Sequence, residues 1–285
     1  MWETLEFLKE LAQDAGAIML QHWRRDLQVT TKHNGTPVSQ VDLAISQMAC
    51  QRIQAAFPEH VLLTEETFHP SKLPAEKGFI IDELDGTNAF IHGKAGFVFQ
   101  VAYFENYDQL KLALIFDPVR EILVYAIKDK GAWIEKKGAA RQAVMPRIRR
   151  WRDLKFANHR LYMPPTLRKV YAMLGVSQEN IVPTGSIGSK SMSFALGEVH
   201  VLVGLNRRMP FWDIAPGILL LQELGYSFSH LTGEKITLFP EDNDLAFGYL
   251  VCPPQFEAKA RKELEWMVKK LRPTRTTPQF SLQES

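Results

Sequence analysis

Gly78-Phe79-Ile80-Ile81-Asp82-Glu83-Leu84-Asp85-Gly86-Thr87-Asn88-Ala89-Phe90 is the stretch that decides the reading of this chain. An apolar strand runs into the carboxylate of Asp82. A second carboxylate follows at Asp85, then Gly86-Thr87. Strand ends are where open α/β sheets place their chemistry. Two carboxylates held this close repel, and a cation between them relieves the repulsion. The Gly-Thr step offers backbone N–H groups and a hydroxyl at a helix start, which suits an anion. Carboxylates, a hard cation and an anion cradle point to phosphate-ester chemistry. Read alone, the same residues also fit a turn or a helix cap.

Upstream, Leu5, Leu8, Ala12, Ala15, Ile18 and Met19 recur at helical spacing and predict a helix over residues 3–24. Asn34-Gly35 is a turn signal. Ser39 caps a second helix, with Asp42 at the N3 position and Pro58 closing it. Val61-Leu62-Leu63 is a short strand running into Thr64-Glu65-Glu66. Downstream, residues 97–104, 110–116, 121–127 and 132–135 form an antiparallel meander, with turns at Asp117-Pro118 and Lys130-Gly131. Beyond residue 150 strands and helices alternate. Strands are expected near Ile181, at 199–203, near Tyr226 and near Leu250. Helices are expected through Met192, over 213–224 and over 255–271. The reading is an α+β half, residues 1–150, followed by an α/β half, residues 151–285, with a fraying polar tail from residue 272.

The chain has 285 residues, enough for a sizeable core, and its 46% hydrophobic and 23% charged content is that of an ordinary globular protein. A formal net charge of +2 gives no reason to expect a nucleic-acid polymer or a membrane surface as partner. No basic stripe with interleaved aromatics stands out. Cys50 and Cys252 lie far apart and have no metal-ligand spacing. With no leader-like or bilayer-length apolar segment, the expectation is a soluble cytoplasmic protein.

Three segments converge: Thr64-Glu65-Glu66, the Asp82–Thr87 run, and Phe211-Trp212-Asp213-Ile214-Ala215-Pro216-Gly217 with Glu223-Leu224-Gly225 beyond it. This set resembles the inositol monophosphatase superfamily of magnesium-dependent, lithium-sensitive phosphatases. The resemblance covers nearly the whole chain, from Ala15-Gly16 through Lys32, Thr36-Pro37-Val38 and Asp42 to Trp212-Asp213. It implies a five-layer αβαβα sandwich, a homodimer, and two or three magnesium ions. It implies that Glu65, Asp82 and the Leu84 carbonyl hold one ion, and that Asp82, Asp85 and Asp213 hold a second. A water activated by the metals would attack the phosphorus. Glu66 and Thr87 would orient that water, Asp42 would hydrogen-bond Thr87, and the Gly86 and Thr87 N–H groups would bind the phosphate. Individual residues have plainer readings too: Asp42 as a capping acid, Asp213 as an N-cap, Trp212 as packing. His92 is read as structural or peripheral. One departure is visible. Glu83 stands where the family usually has proline, adding freedom and a negative charge to the loop that presents Leu84.

The resemblance implies a small phosphorylated metabolite as substrate, whose identity is less legible. Gly185-Ser186-Ile187-Gly188-Ser189-Lys190 resembles the Gly-Ser-x-Gly-x-Lys stretch of the 3′(2′),5′-bisphosphate nucleotidase branch. Lys190, Arg207 and Arg208 would favour a second anion on the substrate. Phe90-Ile91-His92-Gly93 resembles the inositol monophosphatase branch instead. The nucleotidase is the preferred reading, with inositol or sugar phosphates as the alternative. A degenerate homologue that binds a phosphorylated ligand without hydrolysing it is the non-enzymatic one.

Overall fold

The computed structural model describes residues 1–25, 27–31, 37–69, 75–159, 163–205, 209–236, 238 and 248–271. The Asn34-Gly35 turn, Lys32, Thr36, Arg207, Arg208 and the tail from residue 272 lie outside the described residues. Two helices, α1 (Trp2–His22) and α2 (Gln40–Ala56), flank a small antiparallel pair, β1 (Val29–Thr31) and β2 (Pro37–Ser39). α1 buries Leu5, Leu8, Leu11, Ala12, Ala15 and Met19 along one stripe, the result of their three–four spacing. A Cβ at Gly16 would fall 2.5 Å from the Phe116 ring, so glycine lets the helix settle onto the strand below. α2 begins in the expected capping box: Asp42 accepts the Ser39 N–H at 2.8 Å while the Ser39 hydroxyl caps the first turn. Such a cap contributes about 1 kcal/mol.

Among the described residues seven strands form the main sheet in sequence order: β3 (Val61–Thr64), β4 (Gly78–Asp85), β5 (Val98–Glu105), β6 (Gln109–Asp117), β7 (Ile122–Ile127), β8 (Gly131–Lys136) and β9 (Ala139–Ala143). β3 and β4 are parallel, and every later pair is antiparallel. A short helix, α3 (Thr87–Ile91), leaves the end of β4. β9 has no sequence signal. Ala-Ala-Arg-Gln-Ala has no apolar face, and the strand forms an exposed edge held by its pairing to β8. β4 also corrects the reading that its apolar run stops at Asp82. It continues buried through Asp85, and its register against β5 shifts between the two acids. That irregularity re-aims side chains where the site lies.

The second half supplies β10 (Phe156–His159), α4 (Pro165–Met173), β11 (Ile181–Thr184), α5 (Ile187–Ala195), β12 (Leu202–Gly204) and α6 (Phe211–Glu223). β13 (Ser227–His230), β14 (Tyr249–Cys252) and α7 (Pro254–Leu271) complete it. β10 pairs with β11 in parallel, and β12, β14 and β13 form an antiparallel sheet. A bridge from Phe156 to Val201 joins the two. β10 and α4 lack a sequence signal strong enough to announce them. The strand expected at 199–203 is centred later, on Leu202–Gly204.

Among the described residues three apolar cores stack these elements into five layers. One lies between α1, α2 and the main sheet. A second joins the other face of that sheet to α5, α6 and the smaller strands, so Ile80 and Val98 share a core with Phe211, Leu219 and Val251. A third packs α4 and α7 on the far side of the smaller strands. The order αβαβα follows. Among the described residues no helix is long and apolar enough to cross a membrane.

Candidate active site

The acids of β4 are buried. Asp82 is 1% exposed; its carboxylate accepts the Leu84 N–H at 3.2 Å and the Gln100 amide at 3.2 Å. Burial pushes its pKa well above the carboxylate range, and the charges of Asp85, Glu65, Asp213 and Glu83 push it further the same way. Asp85 is raised to about 6 by burial. The Ser186 and Gly188 hydrogen bonds and the Lys190 charge oppose that rise. The Gly188 N–H donates to Asp85 Oδ2 at 2.5 Å.

The sequence-predicted residues come from α2, the turn after β3, β4, the start of α3, α5 and α6. Glu65 and Glu66 sit in the turn at the end of β3, where the Glu65 N–H donates to the Ile81 carbonyl at 3.2 Å and ties that turn to β4. Asp213 lies in the first turn of α6, whose N-cap is Pro210, so Asp213 is not the cap. The Gln100 amide that holds Asp82 also donates to the Asp213 carbonyl at 3.3 Å, linking β5 to α6. Trp212 packs edge-on to Phe211 and against Phe68.

Gly86 takes the left-handed region at φ 101°, and a Cβ there would press on the backbone of Gly96 and Phe97. This turn starts α3 and brings Thr87 beneath α2. The Thr87 hydroxyl lies 3.1 Å from Asp42 Oδ1 and 3.0 Å from the Leu84 carbonyl, so its single proton is shared between two acceptors. Asp42 therefore serves both readings at once. One oxygen closes the capping box and the other fixes Thr87.

Glu83 points to the opposite side of β4 from Asp82. It is 1% exposed, and neither carboxylate oxygen has a hydrogen bond of full geometry. Burial raises its pKa to about 8; the Ser46 hydroxyl opposes the rise, and the charges of Glu66 and Glu65 add to it.

Lys190 donates from Nζ to the Gly185 carbonyl at 3.0 Å and faces the charge of Asp85. It also lines a pocket of about 420 Å³ with Asn88, Asn158, His159, Leu205 and Tyr249. Sequence reasoning missed Gln100, Asn158, His159 and Tyr249. Gln100 had a signal, being the lone amide in the apolar run 97–104; the others had none. Glu223 belongs elsewhere. It accepts the Asp129 and Gly131 N–H groups at 3.0 and 2.9 Å and pins the turn between β7 and β8. His92 is exposed, with Nδ1 2.7 Å from the Asn88 carbonyl at the end of α3.

The residues that the resemblance assigns to a metal, Glu65, Asp82, Asp85, Asp213 and the Leu84 carbonyl, offer only oxygen, and the mutual repulsion at Asp82 fits a hard divalent cation. Among the described residues no three acids, imidazoles or thiols stand as a closed ion-binding group.

The sequence pattern of the inositol monophosphatase family matches residues 1–273. An inositol-1-monophosphatase of Bacillus subtilis (strain 168) is 28% identical over 250 residues, covering 86% of this chain and 91% of that protein. The 3′(2′),5′-bisphosphate nucleotidase CysQ of Aggregatibacter actinomycetemcomitans is 26% identical over 238 residues, covering 82% and 86%. A solved IMPase/NADP phosphatase complexed with Mg2+ and phosphate superposes with a TM-score of 0.72 at 22% identity, covering 92% of this chain and 93% of that one, and shares the fold. With its acid-bearing β4, its five layers and this match along almost its whole length, the chain belongs to the inositol monophosphatase family of phosphoric monoester hydrolases.

Proposed function

We propose that the protein is a magnesium-dependent phosphomonoesterase whose substrate carries a second anionic group, in the manner of a 3′(2′),5′-bisphosphate nucleotide. The observation that carries this reading is Lys190. It stands between Asp85 and the adjoining pocket, whose walls include the apolar Ala157, Pro164, Leu167, Leu202 and Val203. An ammonium beside such walls suits a second phosphate on a nucleoside better than a ring of hydroxyls. The competing likeness at Phe90–Gly93 carries little substrate information, since Phe90 is core against Phe97 and His92 is exposed at the end of α3.

Glu65, Asp82, the Leu84 carbonyl, Asp85 and Asp213 would hold the magnesium, which when bound acidifies water and neutralises phosphate charge. Asp42 holds the Thr87 hydroxyl in place, and Thr87 with Glu66 aims the attacking water at phosphorus. The Gly86 and Thr87 N–H groups receive the phosphate oxygens. Lithium sensitivity, a cytoplasmic location and a homodimer belong to the same proposal.

The test is phosphate release from adenosine 3′,5′-bisphosphate and from inositol 1-phosphate, side by side with magnesium, with and without lithium. A preference for the nucleotide supports the reading. A preference for inositol phosphate makes Lys190 a bystander, and silence across a broad phosphate panel favours a binding-only homologue. Lys190→Ala is expected to raise KM for the bisphosphate about tenfold more than for a monophosphate, a difference of about 1.4 kcal/mol. Equal effects on both would remove the second-anion assignment. Gly188→Ala places a Cβ 2.8 Å from Asp85 Oδ2 and 2.7 Å from Gln100 Oε1. It is expected to lower kcat at least about tenfold through the displaced carboxylate, with phosphate release as the measurement.

A further inference from the structure

The whole-chain charge of +2 conceals a strong asymmetry. Between residues 136 and 155 there are eight basic residues, Lys136, Lys137, Arg141, Arg147, Arg149, Arg150, Arg152 and Lys155, and one acid, Asp153. All eight are exposed. They begin at the turn joining β8 to β9, continue along β9, and end in the segment that leads into β10. β9 is the last strand of the main sheet and alone extends roughly 15 Å. Beyond it, Arg147, Ile148, Arg149, Arg150 and Asp153 line a groove of about 480 Å³. None of them lines the pocket beside Lys190.

Among the described residues Asp153 pairs with Arg150, at 2.8 and 3.0 Å, and no acid pairs with Arg147 or Arg149. The groove is anchored to α7, where the Gln255 amide donates to the Ile148 carbonyl at 3.2 Å. The aromatic residue of this segment is turned inward. Trp151 donates from Nε1 to the Leu174 carbonyl at 2.8 Å, and its ring meets Phe156 and Phe256 edge-on. The exposed large apolar residue nearby is Val144.

We propose that this basic edge is a binding track for the phosphodiester backbone of single-stranded nucleic acid, separate from the candidate active site. The track is too long for one small phosphorylated metabolite, and guanidinium groups without an acid partner are suited to phosphate oxygens. With Trp151 turned inward, the segment offers no aromatic platform for bases, so contact is confined to phosphate oxygens, which carry no sequence information. A membrane surface is disfavoured because the lone Val144 is a weak apolar anchor and no exposed aromatic accompanies it in this segment.

The test is fluorescence anisotropy of a labelled 20-nucleotide oligouridine with the full chain. Contact with about five phosphates predicts an affinity loss of roughly 100-fold between 50 and 200 mM salt. The double variant Arg147→Ala/Arg149→Ala is expected to bind about tenfold more weakly, with a salt slope shallower by about 1.4, while phosphate release is unchanged. Arg141→Ala, on the exposed edge strand, is expected to weaken binding in the same direction. Three results would each overturn the proposal: no salt-dependent binding, unchanged affinity in the variants, or displacement of the oligonucleotide by a phosphomonoester substrate. Binding to phosphatidylserine vesicles without binding to oligouridine would assign the edge to a membrane and overturn it as well.

Discussion

Asp85→Asn is expected to cut phosphate release by about 10³-fold while raising the thermal stability of the protein measured in chelator. The two effects have one cause. Asp85 is buried among other acids, and burial raises its pKa from 3.8 to about 6. An acid whose folded pKa is raised keeps a proton that the unfolded chain releases. Folding is therefore opposed progressively from about pH 4 to about pH 6, by at most about 3 kcal/mol above that window. Asparagine removes this cost and keeps an oxygen for the Gly188 N–H. The same exchange removes a charged ligand from the proposed magnesium site, where several kcal/mol of transition-state stabilisation reside. Phosphate release at saturating magnesium and calorimetry in chelator measure the two effects. A folded variant with near-normal turnover would take Asp85 out of the metal set.

Glu83→Gln is expected to stabilise the chelated protein in a pH-dependent way. The Glu83 pKa rises from 4.5 to about 8, with burial as the main cause. Its folded form holds a proton that the unfolded chain loses above about pH 4.5. Stability of the parent protein falls as pH rises from about 4.5 to about 8 and is level beyond, by at most about 5 kcal/mol. Glutamine has no such penalty, so the gain in Tm is small near pH 4.5 and largest above pH 8. A gain in Tm that does not change with pH would mean that Glu83 ionises without cost and that its buried carboxylate has a partner. The family's usual proline at this position avoids the buried acid altogether.

The acids of the candidate site were legible because their chemistry is local. Asp82, Asp85, Gly86 and Thr87 are neighbours in sequence, and a buried strand followed by acids and a glycine turn announces itself. The capping box of Ser39 and Asp42 was legible for the same reason, being a contact across three residues. The second duty of Asp42, toward Thr87, spans 45 positions and depends on how α2 lies over β4. Glu223 shows the opposite failure: its motif was legible, but only the packing of α6 against the turn between β7 and β8 shows that it is a clamp.

By itself the sequence determined α1, α2, the strands from β3 to β8, the helices from α5 to α7, the acid-rich end of β4 and the kinship that these carry, because periodicity, capping and turn chemistry act over a few residues. Only the tertiary structure decided which side of β4 each acid faces, that Gln100 ties Asp82 to α6, and that Lys190 meets both Asp85 and the pocket. Burial and long-range electrostatics are properties of layers brought together by the cores, and a linear pattern contains neither.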